Sequence, residues 1–395
     1  LERTTGTSDT LVSTSLTVTG TFTHGGGELV FDGPATWNGG NVNIGAVQAS
    51  SGGVVTISGG TASCAALVID AGDTLLLTGQ DLTAAGLLTN NGVLTVGAQS
   101  VTANGGLTHT GTLTISTGSL TAAGASAISN NVTLSAAGSL TFATGGSLSL
   151  TAGTLATGAT GTFNFNGSVG GSGGAISGAG PVNFAGSPVD LANGITVGLT
   201  GLTSINGTSA QSFGVNPGAN SFGALSVTNT GGTVTTQSGT LTTTGTLTIA
   251  DGADLNVQGL GLDVGGSLTV GTTATATLQA SSGTLLVDGD VTIFAGSAFS
   301  TAATLQLSGG GTQTINHNAV PLGDVLVDTG TTCQIGAGVA SVASMVVTAG
   351  NLNLNAATSL AVSANWDTSA ATLFTANSVP VTFNGGVSQT IAAGG

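Results

Sequence analysis

Positive charge is almost absent from this chain. Its 395 residues include no lysine and a single arginine, Arg3, against 16 acidic residues, which gives a formal net charge of −15. Proteins that bind nucleic acids use several Lys and Arg side chains to displace counterions from the phosphates, and binding to anionic lipid has the same requirement. The composition therefore excludes nucleic acids and anionic membrane surfaces as partners.

Charge of either sign, aromatic residues and long apolar runs are also scarce. Only 4% of the residues are charged and 4% are aromatic, and tyrosine is absent. No apolar stretch reaches the ~18 residues of a membrane-spanning helix, so membrane insertion is not predicted. Because 40% of the residues are hydrophobic, the chain is unlike disordered proteins, which combine low hydrophobicity with high charge. We expect a folded chain with an uncharged Thr, Ser, Asn and Gly surface, which favours association.

Short strand-like segments recur at a nearly constant interval. Five begin at residues 54, 74, 93, 112 and 131, which are 20, 19, 19 and 19 residues apart, and a second series is spaced by 21, 17 and 20. Strand side chains alternate between two faces, so in the segment 112–115 Leu113 and Ile115 face one side and the threonines the other. The nine segments are Val54–Ile57, Thr74–Leu77, Val93–Val96, Thr112–Ile115, Asn131–Leu134, Thr246–Ile249, Ser267–Val270, Thr284–Val287 and Thr304–Leu307.

This repeat predicts an all-β fold. About 19 residues hold two or three short strands with glycine at the corners, which is typical of one coil of a parallel β-solenoid, or β-helix. We predict a single continuous solenoid over residues 1–395, with roughly twenty coils stacked ~4.8 Å apart. The alternative is a run of antiparallel β-sandwich domains, which would show hairpins and strands every ~8–12 residues.

A longer repeat marks three junctions, near residues 205–231, 307–330 and 383–395. Each contains an apolar residue, a Gly, and then Gln followed by Ser or Thr and a second apolar residue. The segment 1–20 resembles the sequence that should follow the third junction. Two interpretations stay open: the chain is a piece of a longer array, or copies abut end to end through uncapped strand edges.

The sequence Gln-Thr-Ile at 313–315 and 389–391, with Gly-Thr-Leu-Thr-Ile at 111–115 and 245–249, resembles bacterial surface and secreted β-helix repeat proteins. This group contains filamentous-haemagglutinin-type adhesins and autotransporter passengers. The resemblance covers most of the chain and implies export to the bacterial cell surface, a right-handed parallel β-helix, and a role in adhesion or surface architecture. It carries no functional residue over to this sequence.

Aspartates cluster mildly at three predicted turns. Paired carboxylates supply the hard oxygen ligands that Ca²⁺ prefers, so weak calcium sites are one interpretation; the other is that each Asp caps its own turn. No EF-hand loop or Gly-rich calcium repeat is present, and no other cofactor is predicted. The candidates are Asp70 and Asp73, Asp251 and Asp254, and Asp288 and Asp290.

Catalysis is not expected. A β-helix enzyme that cleaves polysaccharides would need paired carboxylates, for which Asp288 and Asp290 lie on one strand face, together with basic residues that this chain lacks. His24, His109 and His317 are spread over nearly 300 residues, which argues against a shared metal site or a catalytic triad. We interpret each histidine as a surface or turn residue.

The two cysteines, Cys64 and Cys333, are 269 residues apart. In a solenoid this separation is too long for an intrachain disulfide, which needs Cα atoms within ~7 Å. Cys64, which follows Ala-Ser and precedes Ala-Ala-Leu, is interpreted as a buried core thiol, and an intersubunit bridge through Cys64 or Cys333 is the alternative. Trp37 and Trp366 are expected to fill the core rather than stack on sugars, and interior stacking is expected of the phenylalanines, including Phe163, Phe165, Phe184 and Phe222.

These observations favour a structural subunit of an extracellular fibre, sheath or surface layer that polymerises head to tail by stacking its coils. The first alternative is a passive stalk segment of a longer surface adhesin, with glycans or other surface proteins as partners. A remote alternative is binding to ice or glycans through outward rows of threonine, such as Thr240, Thr242 and Thr244.

Overall fold

A computed structural model describes residues 9–18, 22–23, 27–39, 42–59, 61–216, 218–328, 330–354 and 356–394. Arg3, His24 and the segment 1–8 lie outside the described residues. Within them the structure is all β and contains no helix, hence none long and apolar enough to cross a membrane. Contacts divide the chain into two compact units, Leu1–Gly201 and Leu202–Gly395.

The strands of the first unit are short, most of them three or four residues long. In chain order they are β1 (Thr10–Val12), β2 (Ser15–Val18), β3 (Phe22–Thr23), β4 (Leu29–Asp32), β5 (Ala35–Gly39), β6 (Val42–Ser50), β7 (Val54–Ile57), β8 (Ala62–Ile69), β9 (Thr74–Leu77), β10 (Leu82–Ala84), β11 (Leu88–Asn90), β12 (Val93–Val96), β13 (Ser100–Ala103), β14 (Leu107–His109), β15 (Thr112–Ile115), β16 (Ser119–Ala122), β17 (Ala125–Ile128), β18 (Val132–Leu134), β19 (Ser139–Phe142), β20 (Ser147–Leu150), β21 (Thr154–Thr157), β22 (Thr162–Phe165), β23 (Ser168–Gly171), β24 (Ala175–Gly178), β25 (Val182–Phe184), β26 (Val189–Asp190) and β27 (Thr196–Leu199).

The second unit has strands of the same kind. They are β28 (Leu202–Ile205), β29 (Gln211–Gly214), β30 (Asn220–Ser221), β31 (Ala224–Val227), β32 (Val234–Ser238), β33 (Leu241–Thr243), β34 (Leu247–Ile249), β35 (Asp254–Asn256), β36 (Leu262–Val264), β37 (Leu268–Val270), β38 (Thr277–Ala280), β39 (Thr284–Val287), β40 (Val291–Ile293), β41 (Ala298–Thr301), β42 (Thr304–Leu307), β43 (Thr312–Asn316), β44 (Asp324–Val327), β45 (Thr332–Ile335), β46 (Gly338–Val342), β47 (Met345–Val347), β48 (Asn351–Asn353), β49 (Ala357–Val362), β50 (Trp366–Thr368), β51 (Leu373–Thr375), β52 (Val381–Phe383) and β53 (Ile391–Ala393).

Parallel pairing between coils organises both units. From β9 to β24 each strand pairs in parallel with the third strand further along the chain, as in β12 with β15 and β15 with β18. Three strands therefore make one coil, and each coil hydrogen-bonds to the next along all three faces. The predicted β-solenoid is confirmed, and the antiparallel alternative is wrong because every assigned strand pair is parallel.

The coils are longer than the predicted 19 residues. They repeat about every 21 residues, which gives about 17 turns instead of roughly twenty. The extra residues lie at the corners: two residues, 123–124, separate β16 from β17, whereas four, 143–146, separate β19 from β20 one coil later. One added residue, Gly145, has a φ of 84°, a backbone conformation that glycine adopts without strain.

The core follows the predicted alternation. Leu113 and Ile115 are fully buried, and the threonines beside them in β15 point outward. Because each strand sits in register on the one before it, identical side chains form columns. Phe142, Phe165 and Phe184 make one such column, with ring centroids 5.6 Å and 5.1 Å apart. The predicted interior positions of Phe163, Phe165, Phe184, Phe222, Trp37 and Trp366 are confirmed.

Strand β28 reverses the expected pattern. Leu202 is 49% exposed, whereas Thr203 is fully buried and lies in register with the buried Leu225. The hydroxyl of Thr203 has no hydrogen-bond partner among the described residues. A shift of one residue in register would turn every side chain of a strand to the opposite face. Such a shift would expose Thr203, but it would also expose Ile205, which is fully buried on the same face. The strand thus keeps Ile205 inside and accepts a buried threonine.

We predict that Thr203→Val stabilises the protein. Valine has the same shape but no hydroxyl, so the change removes an unpartnered buried polar group and raises the free energy of unfolding by ~1 kcal/mol. The urea midpoint would measure the gain. Ser204→Ala, on the outward face of the same strand, is the control and should change little; a destabilised Thr203→Val variant would contradict the burial of this hydroxyl.

Candidate functional sites

The candidate calcium ligands of the second unit mostly accept hydrogen bonds from a neighbouring coil. Asp251 accepts bonds from the backbone amides of Thr272 and Thr273 and from both hydroxyls, at 2.6–3.1 Å. These bonds hold the pKa of Asp251 well below its usual range, led by the Thr273 hydroxyl. Asp254 points outward from β35 in register with Thr277. Asp251 therefore ties one corner to the next, as a capping residue would.

Asp288 and Asp290 behave similarly. The Ser308 hydroxyl donates to Asp288 at 2.6 Å, and the backbone amide of Thr314 donates to Asp290 at 2.7 Å. Burial, with a smaller contribution from the charge of Asp288, raises the pKa of Asp263, which lies outward on β36. Sequence reasoning had not singled out Asp263 as a neighbour of Asp288.

Asp70 and Asp73 share a turn in the first unit. The Gln48 side chain donates to Asp70, and the backbone amide of Gly53 donates to Asp73 Oδ1 at 2.8 Å. Asp73 is only 1% exposed, and its Oδ2 is buried without a hydrogen-bond partner among the described residues. No three His, Cys, Asp or Glu side chains are grouped closely enough to hold a metal in the part of the chain that the structure covers. Calcium binding by the paired aspartates stays a prediction.

Both cysteines are free and belong to the core. Cys64 is 2% exposed and Cys333 is fully buried. Burial raises the pKa of each thiol to about 12, so the reactive thiolate is almost unpopulated at neutral pH. The core interpretation of Cys64 is confirmed, and an intersubunit bridge would require a coil to open first.

We predict that neither thiol of the native protein reacts with a thiol reagent such as DTNB, whereas both react once the chain is unfolded in denaturant. The physical reason is that the reagent attacks the thiolate, which burial suppresses. The released chromophore counts the thiols directly. Reaction of the native protein, or a dimer that reductant separates on a gel, would support the intersubunit bridge instead.

His109 and His317 are fully buried, so neither is a surface residue. His109 lies in strand β14, whereas His317 does begin a turn, in which its carbonyl oxygen accepts the Val320 amide at 2.8 Å. The side-chain amide of Asn90 lies 3.1 Å from His109 Nδ1, and His109 Nε2 lies 3.0 Å from the carbonyl oxygen of Asn131. An amide N–H can only donate, so Nδ1 accepts and Nε2 carries the proton. His317 Nδ1 accepts the Ala319 amide at 3.0 Å. Burial lowers the pKa of both imidazoles.

This burial predicts a loss of stability in mild acid. The unfolded histidines take up protons as the pH falls through about 6.5, whereas the folded ones resist until a lower pH, so the folding free energy is fully present above ~6.5 and declines below it. The change is at most ~1.4 kcal/mol per pH unit for each histidine. Urea titrations between about pH 7 and pH 5.5 would measure it, above the range in which carboxylates protonate. His109→Gln should reduce the slope; an unchanged slope would show that His109 does not contribute.

The three junctions contain a shared corner that sequence reasoning did not interpret. In each, a glutamine side-chain oxygen accepts the backbone amide of the glycine four residues earlier: Gly207 to Gln211 at 3.0 Å, Gly309 to Gln313 at 3.2 Å and Gly385 to Gln389 at 3.3 Å. We call this arrangement the glutamine clamp. The signal that could have found it is the constant Gly-x-x-x-Gln spacing.

The amide nitrogens of the clamps reach the preceding coil. Gln313 Nε2 donates to the carbonyls of Val287 and Gly289 at 2.9 Å and 2.7 Å. Gln389 Nε2 contacts Val362 and Ala364 in the same way, at 3.0 Å and 2.7 Å. The clamps at Gln313 and Gln389 thus each satisfy two carbonyl oxygens of the preceding coil, which is a structural role.

The proposed threonine row is short. Thr242 lies in register with Asp263, which is followed by Leu286 on the next coil. A regular array of hydroxyls on every coil, as ice binding would require, is therefore not continued along this face.

No protein-family model matches the chain, and neither a curated protein nor a solved structure shows significant similarity to it.

Proposed function

We propose that this protein is a non-catalytic structural subunit of an extracellular fibre, sheath or surface layer, and that copies assemble head to tail by stacking coils. The observations that support the proposal are the parallel stacking of coils and the near absence of charged residues. A further coil, from the same chain or from another copy, could stack by the same pairing on one face of the coil formed by β51, β52 and β53, whose strands pair on one side within the described residues.

Side chains on this face point inward but stay exposed. Phe374 is 39% exposed, although its register partner on the coil before, Leu352, is fully buried. Ile391 is 57% exposed, whereas its register partner Trp366 is 5% exposed. One further coil laid on this face would bury both residues, at a gain of roughly 25 cal/mol per Å² of apolar surface removed from water.

The chemistry of the face suits a second copy of the chain. Residues 369–394 contain no charged side chain, and Val387 adds an apolar side chain that is 75% exposed. Natural sheets usually protect an edge with lysine, proline or inward-pointing charges; here Pro380 precedes β52, but lysine and charged side chains are absent from this segment. Parallel strands of another coil would satisfy the unpaired backbone groups and cover the apolar side chains together.

Other features support a structural role outside the cell. A surface almost free of charge gives little repulsion between copies. The corner carboxylates at Asp251, Asp288 and Asp290 are engaged by neighbouring coils, so they hold the fold rather than a substrate. A stalk segment of a longer adhesin is the alternative, in which further coils of the same chain cover the face.

We predict that the protein associates with increasing concentration and that Ile391→Asp reduces this association strongly, because a charge is placed on a surface that stacking would desolvate. Light scattering and electron microscopy would follow the assembly. Val54→Asp is the matched control, because Val54 is 46% exposed on β7, a strand that pairs on both sides, and it should leave association unchanged.

A strictly monomeric protein at all concentrations would overturn the polymer proposal. Native material in which the same face is covered by more coils of one longer chain would favour the stalk.

A further inference from the structure

Seven Asn-Gly dipeptides occur in the sequence. In such a pair the glycine nitrogen can attack the side-chain carbonyl of the asparagine, because no Cβ hinders the approach and the glycine backbone turns freely. The dipeptides begin at Asn38, Asn91, Asn104, Asn166, Asn193, Asn206 and Asn384.

Three of the seven glycine amides are held by hydrogen bonds across a corner. Gly105 donates to the Gly86 carbonyl at 2.9 Å, and Gly207 and Gly385 donate to the glutamine clamps at 3.0 Å and 3.3 Å. The amide must lose its proton and rotate before it can attack, so each of these bonds opposes the reaction. Asn38 and its glycine lie within strand β5, where the ladder restrains them.

The three remaining glycines, Gly92, Gly167 and Gly194, have no acceptor for their amide among the described residues. Gly92 and Gly167 are buried, and a Cβ on either would lie within 2.3 Å of a neighbouring carbonyl oxygen, so their surroundings leave no room for a ring. Gly194 is less crowded, since a Cβ on it would lie 2.8 Å from the nearest carbonyl oxygen, that of Ser172, and both Gly194 and Asn193 are exposed.

The corner that carries Asn193 is anchored at both ends. Leu191 and Ile195 are fully buried on either side of it and anchor the short exposed turn between them. Asp190 accepts the Ala192 amide at 3.0 Å and the side-chain amide of Asn193 at 2.6 Å. Gly194 has a φ of 90°, outside any strand. The turn therefore presents an exposed side chain next to an unbonded backbone amide, and the Asn193 side chain has to leave Asp190 before it reacts.

We propose that Asn193 is a site of spontaneous self-modification, through cyclisation with Gly194 and hydrolysis to aspartate or isoaspartate. A solvent base takes the Gly194 amide proton, the nitrogen bonds to Asn193 Cγ, and Nδ2 leaves as ammonia with a proton from water. Water then opens the five-membered imide at one of its two carbonyls. The net change is the addition of water and the loss of ammonia, with no oxidation, and it gives the corner one more negative charge.

The test is to incubate the purified chain in mildly alkaline buffer and to follow each Asn-Gly pair by peptide mass spectrometry after digestion with pepsin in acid, which stops the reaction. An amide hydrogen bond corresponds to roughly three- to tenfold in rate. We therefore expect Asn193 to convert faster than Asn104, Asn206 and Asn384 by at least that factor. Equal rates at all four, or a faster control site, would overturn the proposal.

A second variant tests whether the loss of an amide hydrogen bond makes a protected Asn-Gly pair reactive. Gln389→Met keeps the length of the clamp but removes the acceptor of the Gly385 amide, so conversion at Asn384 should rise roughly three- to tenfold while Asn206 stays slow. Asn193→Gln should abolish the mass change in the 190–196 peptide. An unchanged rate at Asn384 in folded Gln389→Met would show that the hydrogen bond does not control cyclisation.

Discussion

The structure depends on hydrogen bonding between successive coils in parallel register. Because each strand pairs with the same face of the next coil, a residue lies ~4.8 Å from the residues in register with it on the neighbouring coils. An inward column is stabilised when it is apolar throughout or when its polar side chains bond to one another. The column of Phe142, Phe165 and Phe184 is the first solution. Asn90 and His109, bonded to each other one coil apart, are the second.

Much of this architecture could be predicted from the sequence, because the alternation of buried and exposed side chains along a strand can be recognised within a few residues. Leu113 and Ile115 are buried as their alternation with threonine indicates. The coil length was underestimated for two reasons. The first series, from 54 to 131, lies where corners are short, and the second series mixes two faces, because Thr284–Val287 pairs with β36 and β42, whereas the partner of β37 is β40. Additional corner residues, such as 143–146, add length without changing the strands, and nothing in the strand pattern reports them.

The polar interior was harder to predict. His109 and His317 were interpreted as surface or turn residues, yet both rings are buried. Both ring nitrogens of His109 are bonded, whereas His317 bonds through Nδ1 and its Nε2 has no partner among the described residues. The register of the whole strand places Thr203 inside as well. The Gln of each junction was visible as a repeat, but its bonds go to a glycine four residues earlier and to the coil before. Such partners depend on the stacking and cannot be identified from a local pattern.

The glutamine clamp has a mechanical consequence. In the second unit the backbone hydrogen bonds between coils run along the stacking direction. A force that pulls in this direction acts on all the bonds between two adjacent coils at once, and it is the same at every such interface. The interface with the weakest bonding therefore separates first. Gln313 adds two bonds across an interface at a corner, and Gln389 does the same further along. These side chains add hydrogen bonds at corners, where adjacent coils would otherwise separate first.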